Sequence, residues 1–308
     1  MMAFLLVHLS WSPVIELVLL ILASSSLYLA GMVLNDLFDY EIDLQQRPSR
    51  PLPAKLITKR AARIVGLGLL VSGVLIACAA GWVGSQYSIV ADPSLIWRPG
   101  AIALLLAILI LLYDGPMKKT IAAPFLMGGC RTLNILLGAS TFSAVGLMTK
   151  SSWTESLFLG FPAIIWWIAV TIGLLITGAT LLGRNEATEK QNRVQLVFGG
   201  AMIIASLTAL ALVAYCPPSV FELTNRQKEV FPLFIGIISL TIFRRVVEAI
   251  VAAKPAKIQL GVISVLRSLI IFDAAICYLA APQQMGYALA VLMLLIPTLV
   301  LGRFISST

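Results

Sequence analysis

Apolar runs long enough to cross a bilayer recur along nearly the whole chain, and no other feature restricts its fold as much. They lie at about 13–34, 62–83, 98–113, 121–146, 160–183, 195–215, 231–252, 258–281 and 286–304. A crossing takes about 17 to 25 mainly apolar residues as a helix, so nine spans are expected. Inside hydrocarbon every backbone N–H and C=O must find its partner within the segment, which makes helices the expected form. The expected fold class is all-α, a polytopic membrane bundle of about nine transmembrane helices. Composition points the same way: of 308 residues, 59% are hydrophobic and only 12% charged, with a mean hydropathy of +0.97. An ordinary soluble domain is excluded.

A net charge of +8 would suit a nucleic-acid partner, but the basic residues follow the membrane instead. With nine spans, alternate loops fall on opposite sides. One side then holds 16 Lys and Arg, in the 47–63 stretch, at Lys118-Lys119, in the 184–193 loop, at 244–257 and at Arg303. The other holds 4, and Arg131 and Arg267 remain inside spans. By the positive-inside rule the richer side is cytoplasmic and the N-terminus is outside. No signal-peptide pattern precedes the first span. Cys78, Cys130, Cys216 and Cys277 are scattered, which implies neither a disulfide framework nor a zinc site.

The first span ends in Asn35-Asp36-Leu37-Phe38-Asp39-Tyr40-Glu41-Ile42-Asp43, followed by Arg47-Pro48-Ser49-Arg50-Pro51-Leu52. If the helix runs through this motif, Asp36, Asp39 and Asp43 stand at i, i+3 and i+7 and share one face. Three like charges on one face repel each other. The patch reads either as a solvated helix end or as a cation site. Two neighbours favour the cation. Arg47, Arg50, Lys55, Lys59 and Arg60 put phosphate-binding groups on the same loop, and Pro48 and Pro51 stiffen it. Hard oxygen donors in this number suit Mg²⁺, which keeps several waters and shares one or two carboxylates with substrate phosphates.

Further on, the third span closes on Tyr113-Asp114-Gly115-Pro116-Met117-Lys118-Lys119, a turn that presents a phenol and two ammonium groups on the same side. The lysines read as topology signals or as phosphate contacts. In the fourth span Arg131, Asn134 and Gly138 fall on one face. An arginine inside a span is costly unless it faces a polar cavity, the alternative being a side chain that snorkels to the interface. The fifth span ends at Gly183-Arg184-Asn185-Glu186-Ala187-Thr188-Glu189-Lys190. There Asn185, Glu186 and Glu189 offer a second, weaker ligand set among Arg184, Lys190 and Arg193. Arg267 and Asp273 share the eighth span but not one helix face.

With these motifs in this order, residues 31 to about 193 resemble the UbiA superfamily of intramembrane prenyltransferases. The resemblance rests mainly on Asn35-Asp36-x-x-Asp39-x-x-x-Asp43 with its arginine-proline tail, then on the Tyr113 to Lys119 turn and on Arg131 with Asn134. It implies a single domain over 1–308, a helical bundle around a central cavity, and two acidic motifs that bind Mg²⁺ and a prenyl diphosphate. The expected reaction is Mg²⁺-dependent transfer of the prenyl group to a lipophilic, aromatic acceptor within the membrane, with no nucleic-acid partner. On that reading Asn35, Asp36, Asp39, Asp43, Asn185, Glu186 and Glu189 are metal ligands. Arg47, Arg50, Tyr113, Lys119, Asn134, Arg184 and Lys190 contact the diphosphate, and Lys118 and Arg131 act with the aspartates in catalysis. The sequence departs from the family twice. Its second motif has Asn and Glu where aspartates are usual, in a form similar to the divergent EboC-like branch. Only Met2 to Leu9 stands where the family has a full helix before the first motif. The alternative is a membrane transporter or lipid-binding protein that keeps the bundle without the chemistry.

Overall fold

The structure is a computed structural model that describes residues 1–87, 96–141, 157–184, 192–215 and 223–304. Apart from one short hairpin, its regular elements are helical. They are α1 (Met2–His8), α2 (Val14–Phe38), α3 (Tyr40–Gln46), α4 (Lys59–Tyr87), α5 (Arg98–Asp114), α6 (Ala123–Gly138), α7 (Ala163–Gly183), α8 (Arg193–Ala211), α9 (Asn225–Ala252), α10 (Pro255–Ala280), α11 (Met285–Met293) and α12 (Leu295–Phe304). Among the described residues a helix lies within each of the nine apolar windows. Six of them (α2, α4, α7, α8 with its 3₁₀ extension, α9 and α10) are long and apolar enough to span a bilayer. The remaining windows fall short in length: α5 has 17 residues, α6 has 16, and the last is divided between α11 and α12 at Leu294.

Residues group into two compact units, Trp11–Leu147 and Met1–Ser10 with Met148–Thr308. In the first, α2 buries a stripe at Leu17, Leu20, Ala23, Leu27, Ala30 and Leu34, the helical spacing of one face. Its other face exposes Val14, Val18, Leu22, Leu29 and Met32, so this helix is apolar all round and suited to lipid on its outer side. The buried stripe packs on α4 through glycines. A Cβ on Gly66 would lie 2.8 Å from the Leu34 side chain, and one on Gly73 would lie 2.7 Å from Leu27. Leu27 and Leu34 are seven apart, as are Gly66 and Gly73, so knobs of one helix repeatedly enter gaps in the other. This seam fixes the motif end of α2 beside the start of α4.

In the second unit α7 is the buried centre, with 72% of its span window inside the protein. Against α8 the two backbones meet. A Cβ at Gly178 would come 2.8 Å from the Gly199 carbonyl oxygen, and one at Gly199 would come 2.9 Å from that of Gly178. Only residues without a side chain permit this approach. Helix starts are fixed locally: Asn192 accepts from the Val194 and Gln195 N–H groups at α8, and Thr224 with Gln227 forms a capping box at α9. The hairpin pairs Leu157–Phe158 with Phe161–Pro162 across Leu159 (φ 51°) and Gly160 (φ 73°), the left-handed pair that a tight two-residue turn needs.

Candidate carboxylate and cation site

The motif lies where α2 gives way to α3. The helix does not run unbroken through the motif: α2 ends at Phe38, and Asp39 (φ −82°, ψ 0°) joins it to α3. The hydrogen-bond ladder nevertheless crosses the joint, since the Asp39 N–H reaches the Asn35 carbonyl and the Asp43 N–H reaches that of Asp39, both at 2.9 Å. The acids therefore keep close to helical spacing, yet they do not act as one face. They sort into two sets, each held by its own cation.

Arg50 serves the first set. One guanidinium nitrogen, Nη1, donates to Asp43 Oδ2 at 2.8 Å and to Asp36 Oδ1 at 3.2 Å. Asp43 is nearly buried, its side chain 7% exposed against 44% for Asp36. The contact with Asp43 is thus the stronger, because the exposed partner is screened by water and salt. Arg50 reaches back because the loop after α3 is a series of turns. Its N–H bonds the Arg47 carbonyl at 3.1 Å, and its own carbonyl accepts from Ala54 at 2.9 Å. Leu52 anchors the loop at 7% exposure. Arg47, by contrast, is exposed at the end of α3 and takes no part in the pairs.

Lys118 serves the second set. Its Nζ donates to Asp39 Oδ2 at 2.5 Å and to Asn35 Oδ1 at 2.6 Å. The turn after α5 makes this possible. Gly115 adopts φ −96°, ψ −111°, and a Cβ there would lie 2.9 Å from the Leu111 carbonyl oxygen and 3.6 Å from the Phe38 ring. Without a side chain at 115, the chain turns sharply beside the end of α2 and Lys118 falls over Asp39. Tyr113 is half-buried and Lys119 exposed in the same turn.

Asp114 belongs here too, although its place in the sequence alone gives it no role. It is 4% exposed, its Oδ2 is buried without a hydrogen-bond partner, and it interacts electrostatically with Lys118 and Asp39. The available signal was an acid placed directly at the end of an apolar run, where a buried carboxylate is costly unless something uses it.

On α6, Asn134 Nδ2 donates to Ser24 Oγ of α2 at 2.8 Å. Asn134 therefore ties α6 to α2. Arg131 is half-buried on the same helix with its Nε inside the protein. Arg184 closes α7 in the other unit, half-buried. Asn185, Glu186, Glu189 and Lys190, the rest of the expected second motif, lie outside the described residues.

Among the described residues no three acids, thiols or imidazoles converge closely enough to wrap one metal ion. A closed protein cage for Mg²⁺ does not fit this site. A shared site does, because carboxylate and carboxamide oxygens are hard donors and Mg²⁺ is commonly held by one or two of them together with phosphates. The charge balance points the same way. Three aspartates face two cations, which leaves one negative charge, before Asp114 is counted, to attract a further cation.

Comparison with known proteins agrees with this architecture. The model of the UbiA prenyltransferase family matches residues 1–307. Digeranylgeranylglyceryl phosphate synthase of Pyrococcus horikoshii is 41% identical over 70 residues, 23% of this chain and 25% of that protein. That of Methanopyrus kandleri is 30% identical over 122 residues, or 38% and 40% of the two chains. That of Methanobrevibacter smithii is 28% identical over 216 residues, 66% of each. The aligned stretch thus spans only a quarter to two fifths of the first two relatives. A solved membrane structure of digeranylgeranylglyceryl phosphate synthase shares the fold, with a TM-score of 0.62 and 17% identity over 91% of both chains.

Proposed function

This chain belongs to the UbiA prenyltransferase family, and from that premise we propose that it transfers a prenyl group from a prenyl diphosphate to a lipophilic acceptor, with Mg²⁺, at the carboxylate and cation site. The observation that carries the reading is the pairing of Asn35 and Asp39 with Lys118, beside that of Asp36 and Asp43 with Arg50. Cations already fixed by carboxylates give a diphosphate ready-made positive partners and leave oxygen donors for a metal.

The chemistry divides among the residues as follows. Bound Mg²⁺ supplies Lewis acidity toward the diphosphate oxygens. Asp36, Asp39, Asp43 and Asn35 would hold it, with Asn185, Glu186 and Glu189 as a second set. Asp39 and Asn35 aim the Lys118 ammonium, and Asp43 aims the Arg50 guanidinium. Both stand where negative charge grows as the C–O bond to diphosphate lengthens, and fixed charge so placed stabilises that transition state without reorganisation. Tyr113, Lys119, Arg131 and Arg184 are further diphosphate contacts in this reading. The allylic carbon, left electron-poor as diphosphate departs, is attacked by the acceptor's nucleophile, which gives up its proton as the new bond forms.

Residues 1–308 act as one prenyltransferase domain, which the match over 1–307 supports. The site faces the cytoplasm, which the distribution of 16 basic residues against 4 supports. The relatives are named for a glyceryl phosphate product, whereas the resemblance seen in the sequence implies an aromatic acceptor. The test gives purified protein in lipid a labelled prenyl diphosphate with each acceptor class. Label should move to one of them only when Mg²⁺ is present. Failure to release diphosphate with any acceptor, with Mg²⁺ in excess, defeats the proposal.

A further inference from the structure

The end of α2 has a second surface. Taking 100° per residue, Leu34, Leu37 and Phe38 centre about 150° around the helix from Asn35, Asp36 and Asp39. On that far side a groove of about 340 Å³ opens between the end of α2, the starts of α3 and α4, and the last turn of α5. Its floor is apolar, formed by Leu34, Leu37 and Phe38 with Leu67 and Leu111, and its rim is charged, formed by Glu41, Lys59 and Arg63. The groove begins just beyond the point where Leu34 seats on Gly66, so it exists because the tight α2–α4 seam ends there.

The two cations of the rim differ. Lys59 is pinned: its Nζ lies 3.0 Å from Glu41 Oε1 and 3.4 Å from the centroid of the Tyr40 ring, a cation–π contact. Arg63, one turn further along α4, is exposed and enters no ion pair among the described residues. Lys59 and Arg63 against Glu41 leave the rim with one positive charge. That charge matches a single phosphodiester, whereas a diphosphate carries at least twice as much and belongs with the carboxylate face. The floor needs an occupant that is greasy as well as anionic. A basic rim over an apolar groove, at the end of membrane helices, suits an anionic lipid headgroup. The volume lies at the small end of ligand sites, enough for a headgroup and the first part of a chain.

We propose that this groove binds an anionic glycerophospholipid, whose phosphate is held by Arg63 beside Lys59 and whose first acyl methylenes lie on Leu34, Leu67 and Leu111. The site is separate from the carboxylates and does not depend on the reaction assigned to them. An occupant there would brace the start of α4 against the motif end of α2.

The test is native mass spectrometry of the full chain in neutral detergent, equilibrated with equal phosphatidylglycerol and phosphatidylcholine. Wild type should retain phosphatidylglycerol in preference, and raised salt should release it. Arg63→Gln should weaken retention about fivefold, the worth of one cation at a lipid surface, and Arg63→Lys should recover most of it. Leu67→Gln should also weaken it, since a lipid uses the floor and a free anion does not. Arg244→Gln, which alters an exposed arginine bonded to Glu248, should change nothing. Equal retention of both lipids, or equal retention by wild type and Arg63→Gln, overturns the proposal. Displacement of phosphatidylglycerol by millimolar inorganic phosphate, with Leu67→Gln unaffected, also overturns it by showing an anion site without a lipid.

Discussion

The unit formed by residues 11–147 and the unit formed by 148–308 with the first ten residues use the same material, long apolar helices, in opposite ways. In the first, charge joins segments far apart in the chain: Arg50 to Asp36 across 14 residues and Lys118 to Asp39 across 79. In the second, the ion pairs that Glu248 makes are local and at a surface, with Arg244 four residues away and with Lys257 nine away. The second unit instead brings backbone against backbone at Gly178 and Gly199. Where the backbones meet at Gly178 and Gly199 there is no room for any side chain, and the buried polar groups of these two helices, Thr171, Thr177 and Ser206, are small hydroxyls. The first unit seats leucines on glycines along the seam and lets its helix ends part, and the charged groups collect at those ends. Capacity for chemistry therefore follows how the ends separate, not how apolar the helices are.

The largest expected effect breaks the first half of this comparison. Asp39→Asn keeps an oxygen near Lys118 but removes the charge that holds it, and prenyl transfer should fall at least about 100-fold with the protein still folded by circular dichroism. Next, Gly178→Ala attacks the second half. Its Cβ would meet the backbone atoms Gly199 O at 2.8 Å and Ile203 N at 3.0 Å, so thermal unfolding in detergent should show a loss of about 1–3 kcal/mol. Gly236→Ala, with nothing within 4 Å of its Cβ, should cause no loss and can gain the helix preference of alanine.

Asp114→Asn sharpens the comparison by separating function from stability. It removes a buried carboxylate whose Oδ2 lacks a partner, so thermal stability should hold or rise. Mg²⁺ retention, read by titrating activity against the metal, should weaken about tenfold, because one charge near Lys118 and Asp39 is gone. The smallest effect belongs to Arg244→Gln. The Arg244 side chain is 81% exposed and pairs with Glu248 one turn away, and its loss should leave the unfolding temperature unchanged.

Much of this could be read from the order of residues. The apolar windows located the helices because hydropathy and length decide membrane insertion. The Asn35 to Asp43 spacing located the acidic cluster because helical periodicity is a local property. Asp114 was harder to see, because an acid at the end of a span looks like a boundary residue until its burial is known. Asn134, to which the resemblance gives a diphosphate contact, bonds Ser24, a partner 110 residues away that no local pattern indicates.

By itself the sequence determined that this is a helical membrane protein and that its acids and bases gather at one end of the early spans, since both follow from transfer energies and local geometry. Only the tertiary structure decided which cation serves which acid. Arg50 goes to Asp36 and Asp43, and Lys118 to Asn35 and Asp39, because the turns at 47–56 and the sharp bend at Gly115 return distant chain to the end of α2. Those pairings, and the groove on the far side of the same helix, depend on where helix ends diverge in space, and that divergence is a property of packing between segments.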